Sequence, residues 1–124
     1  MKALILTGGK SSRMGQDKAS LKIGGVTQLE RIQSIIRPLT EDIHLSVAHG
    51  DSSARALPTL PDLEPSPGPL GGLQAAFHHD PDSSWLIIAC DLPLIQQSDL
   101  QSLVDHHDGN TDATCFLNPL DNQP

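Results

Sequence analysis

Two short segments carry residues whose types and spacing could do chemistry. The first is Leu6-Thr-Gly-Gly-Lys-Ser-Ser-Arg-Met-Gly-Gln-Asp-Lys18, in which a glycine pair precedes a run of cations. Glycines let backbone N–H groups turn toward a phosphate or a base, and Arg13 and Lys18 add positive charge. The same residues also suit a plain glycine turn after a strand, with solvated basic side chains. A Walker loop does not fit, because Gly9-Lys10-Ser11 would need glycine at position 4, which is Leu4. The dinucleotide fingerprint fails too, since Gly9 and Gly15 are wrongly spaced for GxGxxG. The second segment ends in Asp91, which follows the apolar run Trp85–Cys90 and precedes Pro93 by two positions. A carboxylate at the carboxyl end of a central strand, as this one is expected to be, is well placed to hold Mg²⁺, a hard cation that takes one or two carboxylates plus substrate phosphate oxygens. The commoner role of Asp-x-Pro is a turn or helix cap. Asp62, just ahead of a Pro/Gly-rich loop, reads by itself as an ordinary turn residue.

Charge separates the two ends of the chain. Lys2, Lys10, Arg13, Lys18 and Lys22 fall in the first 22 residues with only Asp17 against them, whereas the remainder holds three cations and fourteen acids. A net charge of −7 argues against a protein that coats nucleic acid. A basic cluster that coincides with a glycine pair suits a small anionic ligand instead. Cys90 and Cys115 are too few for a disulfide scaffold and lack zinc-site spacing; both read as buried strand residues with reduced thiols, so a cytoplasmic location is expected. No apolar run is long enough to cross a bilayer, and the N-terminus lacks the pattern of a secretory signal. His78-His79 and His106-His107 sit near expected helix C-termini, where they favour the dipole, and adjacent histidines point different ways on a helix.

The elements that must position these residues follow from periodicity. Lys2–Thr7 is a continuous apolar run closed by Gly8-Gly9, as for a strand buried on both faces of a parallel sheet. Leu29, Ile32, Ile35, Ile36 and Leu39 recur at helical intervals, so a helix is expected over 27–39, stopped by Pro38. Ile43–Val47 alternates and reads as a strand, Leu57–Leu60 as a short one. Between 61 and 72, four prolines and three glycines make a rigid loop rather than a flexible linker. Leu70–His79 reads as a helix and Trp85–Cys90 as a strand. Ser98 with Gln101 suggests a capping box opening a helix to His107, and Asp112–Leu117 is a last strand candidate. Strands alternating with helices imply right-handed crossovers and a mainly parallel sheet, an α/β domain over 1–124. Ligands bind such sheets outside the carboxyl ends of the strands. Gly8-Gly9, the Pro/Gly loop and Asp91 all lie there.

These residues resemble a known family. Leu6–Lys18 is similar to the LxGGxSxRMGxDK signature of the molybdenum cofactor guanylyltransferases, the MobA-like nucleotidyltransferases; Gly68-Pro-Leu-Gly-Gly72 resembles their GPLxG loop and Ala89-Cys-Asp-Leu-Pro93 their CDxP metal motif. The resemblance implies a three-layer, Rossmann-like nucleotidyltransferase domain. By the same resemblance Leu6, Thr7, Gly8 and Gly9 would contact a guanine nucleotide. Arg13 and Lys18 would hold its triphosphate, Asp62 the nucleoside, and Asp91 both nucleotide and Mg²⁺. Where the family commonly has Asn after the second strand, this chain has Ser46. Family members also continue well beyond Pro124, so the resemblance implies a C-terminally incomplete transferase.

The implied reaction is attack by a phosphate oxygen of molybdopterin on the α-phosphorus of GTP, releasing pyrophosphate, with Arg13, Lys18 and Asp91 as the catalytic set and Mg²⁺ as cofactor. A related cytidylyltransferase, another nucleotidyltransferase, or a non-catalytic nucleotide-binding subunit stands as the alternative. GTP and molybdopterin are the implied partners, with a second copy or the missing C-terminal segment as a further one.

Overall fold

The computed structural model describes residues 1–7, 22–23, 26–51, 55–65 and 68–117. They form two compact units, 1–93 and 94–124.

The first unit is built on β1 (Lys2–Leu6), whose Ala3, Leu4 and Ile5 have no exposed surface. Burial on both faces follows from its place in the sheet. A two-stranded antiparallel ladder comes next, β2 (Lys22–Ile23) with β3 (Val26–Thr27), which the periodicity above does not anticipate. Its signal is Gly24-Gly25 between β-branched residues, the pattern of a two-residue hairpin. Helix α1 (Gln28–Ile36) starts on Thr27, whose Oγ1 accepts the Glu30 N–H at 3.0 Å, and buries Ile32 and Ile36. It ends three residues earlier than the apolar spacing suggests. Pro38 can donate no helical hydrogen bond, and the Leu39 and Thr40 N–H groups both turn back to the Ile36 carbonyl at 2.8 and 3.1 Å.

Strand β4 (Ile43–Val47) alternates in sequence but is buried at all five positions, so its polar His44 and Ser46 face a covering layer rather than solvent. Strand β5 (Thr59–Pro61) is an edge strand, the one setting in which a strand proline loses no ladder bond. Helix α2 (Leu70–His79) and strand β6 (Trp85–Ala89) fall where the sequence places them, apart from Cys90, which lies just past β6 and is buried.

All four main strands are parallel, in the order β5-β4-β1-β6. The β1–α1–β4 crossover runs toward the β5 edge, and β5–α2–β6 returns across the whole sheet. Two right-handed crossovers in opposite directions put their helices on opposite faces, which gives the three layers. On the α2 face, Leu4, Leu60, Ala75 and Ala76 form a buried cluster with Leu6, Trp85 and Ile87 packed against it. Truncating Leu4 to Ala there costs about 2–5 kcal/mol. On the other face Ala3, Ile5, Ile43, Leu45, Leu86 and Ile88 are likewise buried.

The second unit contains α3 (Gln97–His106). Its start corrects the expected Ser98/Gln101 box: the Asp99 carboxylate accepts the Gln96 N–H at 2.8 Å, because a charged acceptor at the first turn satisfies both an orphan donor and the helix dipole. Asp112–Leu117 is not a strand. It pairs with no strand among the described residues and its side chains are exposed except for half-buried Thr114, so the expected burial of Cys115 fails with it. An apolar run becomes a strand only where a sheet edge receives it.

Candidate functional site

The carboxyl ends of β5, β4, β1 and β6 carry Asp62, Ser46, Thr7 and Asp91 along one edge of the sheet. Because the two crossovers leave in opposite directions, the crevice of this fold opens between the ends of β1 and β6. Main-chain bonds carry the ladder past the last strand residues. The Cys90 N–H donates to the Leu6 carbonyl at 3.1 Å, setting Asp91 directly beside the end of β1. On the other side, Thr7 Oγ1 donates to the Ser46 carbonyl at 2.7 Å and ties the start of the glycine loop to β4. The Thr7 side chain is thereby committed to the scaffold.

Helix α2 begins at the same edge. Its Gly72 packs so closely that an added Cβ would lie 2.7 Å from Ser46 Oγ and 2.8 Å from Leu6 Cδ2. Gly68, with φ +93°, lets the chain turn into the helix. The first turn has no side-chain cap; Gly72 and Leu73 N–H groups bond the Pro69 carbonyl at 3.1 and 3.3 Å. Close packing therefore brings the positive end of α2 over the ends of β1 and β4.

The two acids stand far apart. Asp62 closes β5 and Asp91 closes β6, three strand spacings away, which is on the order of 14 Å. Two carboxylates at that separation cannot share one Mg²⁺, whose ligands lie at about 2 Å. Asp62 is half-buried, and burial pushes its carboxyl above the usual range while the His49 charge opposes this. Its peptide is held on both sides: the Asp62 N–H donates to the Val47 carbonyl at 3.0 Å, and His49 Nδ1 lies 2.9 Å from the Asp62 carbonyl. Asp91 is exposed. As a hard oxygen donor open to solvent it fits Mg²⁺, which keeps several waters and takes phosphate oxygens. Among the described residues no three His, Cys, Asp or Glu side chains gather as a metal cage.

The glycine-loop residues Gly8, Gly9, Arg13 and Lys18, with Lys10, lie outside the described residues. Lys2 is a correction. It starts β1, at the opposite end of the strand, where its Nζ pairs with Asp42 at 2.9 Å and Asp80 at 3.5 Å. Proximity in sequence groups it with the loop cations, but the five residues of β1, about 16 Å in length, place it at the other end of that strand from Thr7. The histidine pairs close α2 and α3 as their helical position suggests. His79 packs with its ring tilted against His44 and edge-on to Trp85, His106 Nδ1 lies 2.7 Å from the Ser102 carbonyl, and His107 Nδ1 is 2.9 Å from Thr114 Oγ1. Sequence reasoning missed His49 and Arg31, whose roles are contacts across the fold. For His49 a signal existed, its place two residues beyond the carboxyl end of β4.

No helix among the described residues is long and apolar enough to cross a membrane. The model of the MobA-like NTP transferase domain matches residues 3–123. A probable molybdenum cofactor guanylyltransferase of Flavobacterium johnsoniae is 36% identical over 120 residues, covering 97% of this chain and 63% of that protein. Its counterpart in Carboxydothermus hydrogenoformans is 42% identical over 92 residues, 73% of this chain and 46% of the relative. A bifunctional molybdenum cofactor biosynthesis protein of Synechocystis is 36% identical over 118 residues, 93% of this chain and 34% of its own length. The chain thus spans between about a third and two thirds of these relatives. Among solved structures, molybdopterin-guanine dinucleotide biosynthesis protein A from Archaeoglobus fulgidus superposes with a TM-score of 0.63 at 24% identity, over 83% of this chain and 53% of that one, a likeness of fold. With the family's domain matched over residues 3–123, nearly the whole chain, and a parallel sheet that superposes on a solved structure of like fold, the chain belongs to the MobA-like NTP transferase domain family.

Proposed function

We propose that the chain is the nucleotide-binding part of an enzyme that transfers GMP from GTP to a phosphate oxygen of molybdopterin and releases pyrophosphate. The observation that carries this reading is the place of Asp91, set beside the end of β1 by the Cys90–Leu6 bond, in a chain of this family. The names of the relatives, molybdenum cofactor guanylyltransferases, support the choice of nucleotide and acceptor.

In this reading the main chain of Leu6, Thr7, Gly8 and Gly9 receives the guanine nucleotide, and Asp62 holds the nucleoside at the far edge of the sheet. Lys18 and Arg13 bind the triphosphate and stabilise the charge that grows on it. Asp91 holds Mg²⁺, which when bound neutralises phosphate oxygens. The acceptor is already an anion, so no side chain has to remove a proton. Its oxygen forms a bond to the α-phosphorus as the bond to the pyrophosphate oxygen breaks, in line. Rate enhancement then comes from positioning and from fixed positive charge. Ser46 leaves the base less fully recognised by side chains than an Asn would.

Pyrophosphate release tests the reading. Purified protein given GTP, molybdopterin and Mg²⁺ should release pyrophosphate, and CTP in place of GTP should not support it. Equal release from CTP would overturn the guanine assignment. Tight GTP·Mg²⁺ binding without release would mark a binding subunit.

A further inference from the structure

We infer that Arg31 is a positioning residue that fixes the turn carrying Asp91; the inference rests on the proposed role of Asp91 as the Mg²⁺ ligand. Arg31 sits on α1, and its guanidinium Nη1 donates to the carbonyl of Leu92 at 3.1 Å, across 61 positions of sequence. The chemistry of the turn explains why this bond matters. Pro93 has no N–H, so the Leu92–Pro93 peptide has a single hydrogen-bonding group, the Leu92 carbonyl. On the other side of Asp91, the Cys90 N–H is bonded to the Leu6 carbonyl at 3.1 Å. Asp91 is therefore held between two anchors, one on β1 and one on α1. The first is a neutral main-chain bond at the strand end. The second is charge-assisted and joins the turn to a different layer of the fold. A carboxylate that offers one ligand to an octahedral ion must be aimed, because Mg²⁺ tolerates little departure from its geometry. The bond from Arg31 restricts how the Asp91 turn can swing away from β1 and so aims the carboxylate.

Arg31 acts through the main chain, so its loss should weaken the metal-linked part of binding and leave the rest. Calorimetric titration with GTP, in EDTA and in Mg²⁺, reads that part as the ratio of the two affinities. Arg31→Gln should reduce the ratio about ten- to hundredfold, the usual loss when an outer partner of a metal ligand is removed, with the affinity in EDTA unchanged. Arg31→Lys keeps a cationic donor and should recover part of it. In protein free of metal and nucleotide, amide exchange at Asp91 and Leu92 should quicken in Arg31→Gln while β1 keeps its protection. An unchanged ratio in Arg31→Gln, beside a ratio lost in Asp91→Asn, would overturn the inference and leave the metal assignment standing. An unchanged ratio in Asp91→Asn would overturn both. Equal losses in EDTA and in Mg²⁺ would also overturn it, by placing Arg31 on the nucleotide itself.

Discussion

The two ends of the parallel sheet handle polar groups in opposite ways. At the amino end, charges are turned on one another: Lys2 lies between Asp42 and Asp80, Thr40 Oγ1 donates to the Met1 carbonyl, and Ser83 Oγ donates to Asp80. These contacts hold the Asp42 and Asp80 carboxyls below the ordinary carboxylate range and raise Lys2. At the carboxyl end the hydrogen bonds at Thr7, Asp62 and Leu92 all use main-chain carbonyls, which fixes the backbone without drawing on the carboxylates of Asp62 and Asp91. One end is held by pairing its charged side chains, the other by bonds to its main chain.

The largest effect that sharpens this contrast belongs to the glycine loop. Lys18→Ala should weaken GTP binding tenfold or more, in keeping with a lost charge-assisted contact of about 1.5–3 kcal/mol, while guanosine binding changes little. Competition titrations with the two ligands read the difference, and the GTP affinity should fall with added salt. Equal losses for both ligands would remove Lys18 from the phosphates.

Next comes the packing that brings α2 to the carboxyl edge. Gly72→Ala places a methyl 2.7 Å from Ser46 Oγ and 2.8 Å from Leu6 Cδ2. Overpacking of this kind costs about 1–3 kcal/mol, against which the better helix propensity of Ala returns about 1 kcal/mol. Thermal melts should therefore show a lower Tm. Ser46→Ala in the same chain removes one of the clashing atoms and should recover part of the loss.

A smaller effect marks the amino end. His44 is buried on β4 against His79 and Trp85, its Nδ1 has no hydrogen bond, and Asp42 Oδ1 stands 3.4 Å away. Burial lowers its pKa below 6.5, the charges of His79 and Lys2 push the same way, and Asp42 opposes them. The unfolded chain then binds this proton more readily than the folded one, so stability falls as pH drops below about 6.5 toward the folded value. Denaturant melts at pH 7.5 and 5.5 should show that loss in the wild type, and His44→Phe should reduce it. The smallest effect is at Lys2: Lys2→Met should leave GTP affinity within about twofold, since long-range charge is screened over about 10 Å.

Much of this was legible in the chain itself. The run Ala3–Ile5 reads as a doubly buried strand because a parallel strand between two neighbours has no polar face, and α2 and β6 follow from local pattern in the same way. What was not legible depends on placement in space. Lys2 counts with the other cations of the first 22 residues, and only the direction of β1 shows that it sits at the amino end of the sheet. Phe116 and Leu117 lie in a segment with strand composition, yet both are exposed and pair with no strand among the described residues, because pairing needs a partner that composition cannot supply. The bonds from Thr7 to Ser46 and from Arg31 to Leu92 span 39 and 61 positions, beyond any local spacing rule. The motifs, by contrast, are short and local, which is why the family could be read from them before the fold was seen.

The central claim is that the Asp91 carboxylate at the end of β6 serves the metal-bound nucleotide rather than its own turn. Asp91→Asn tests it most directly, because Asn and Asp cap turns about equally well and the change removes little but the charge. GTP titrated calorimetrically into wild type and variant, each with and without Mg²⁺, should show a folded variant whose Mg²⁺-dependent gain in affinity is lost. A variant that keeps the full gain would contradict the account.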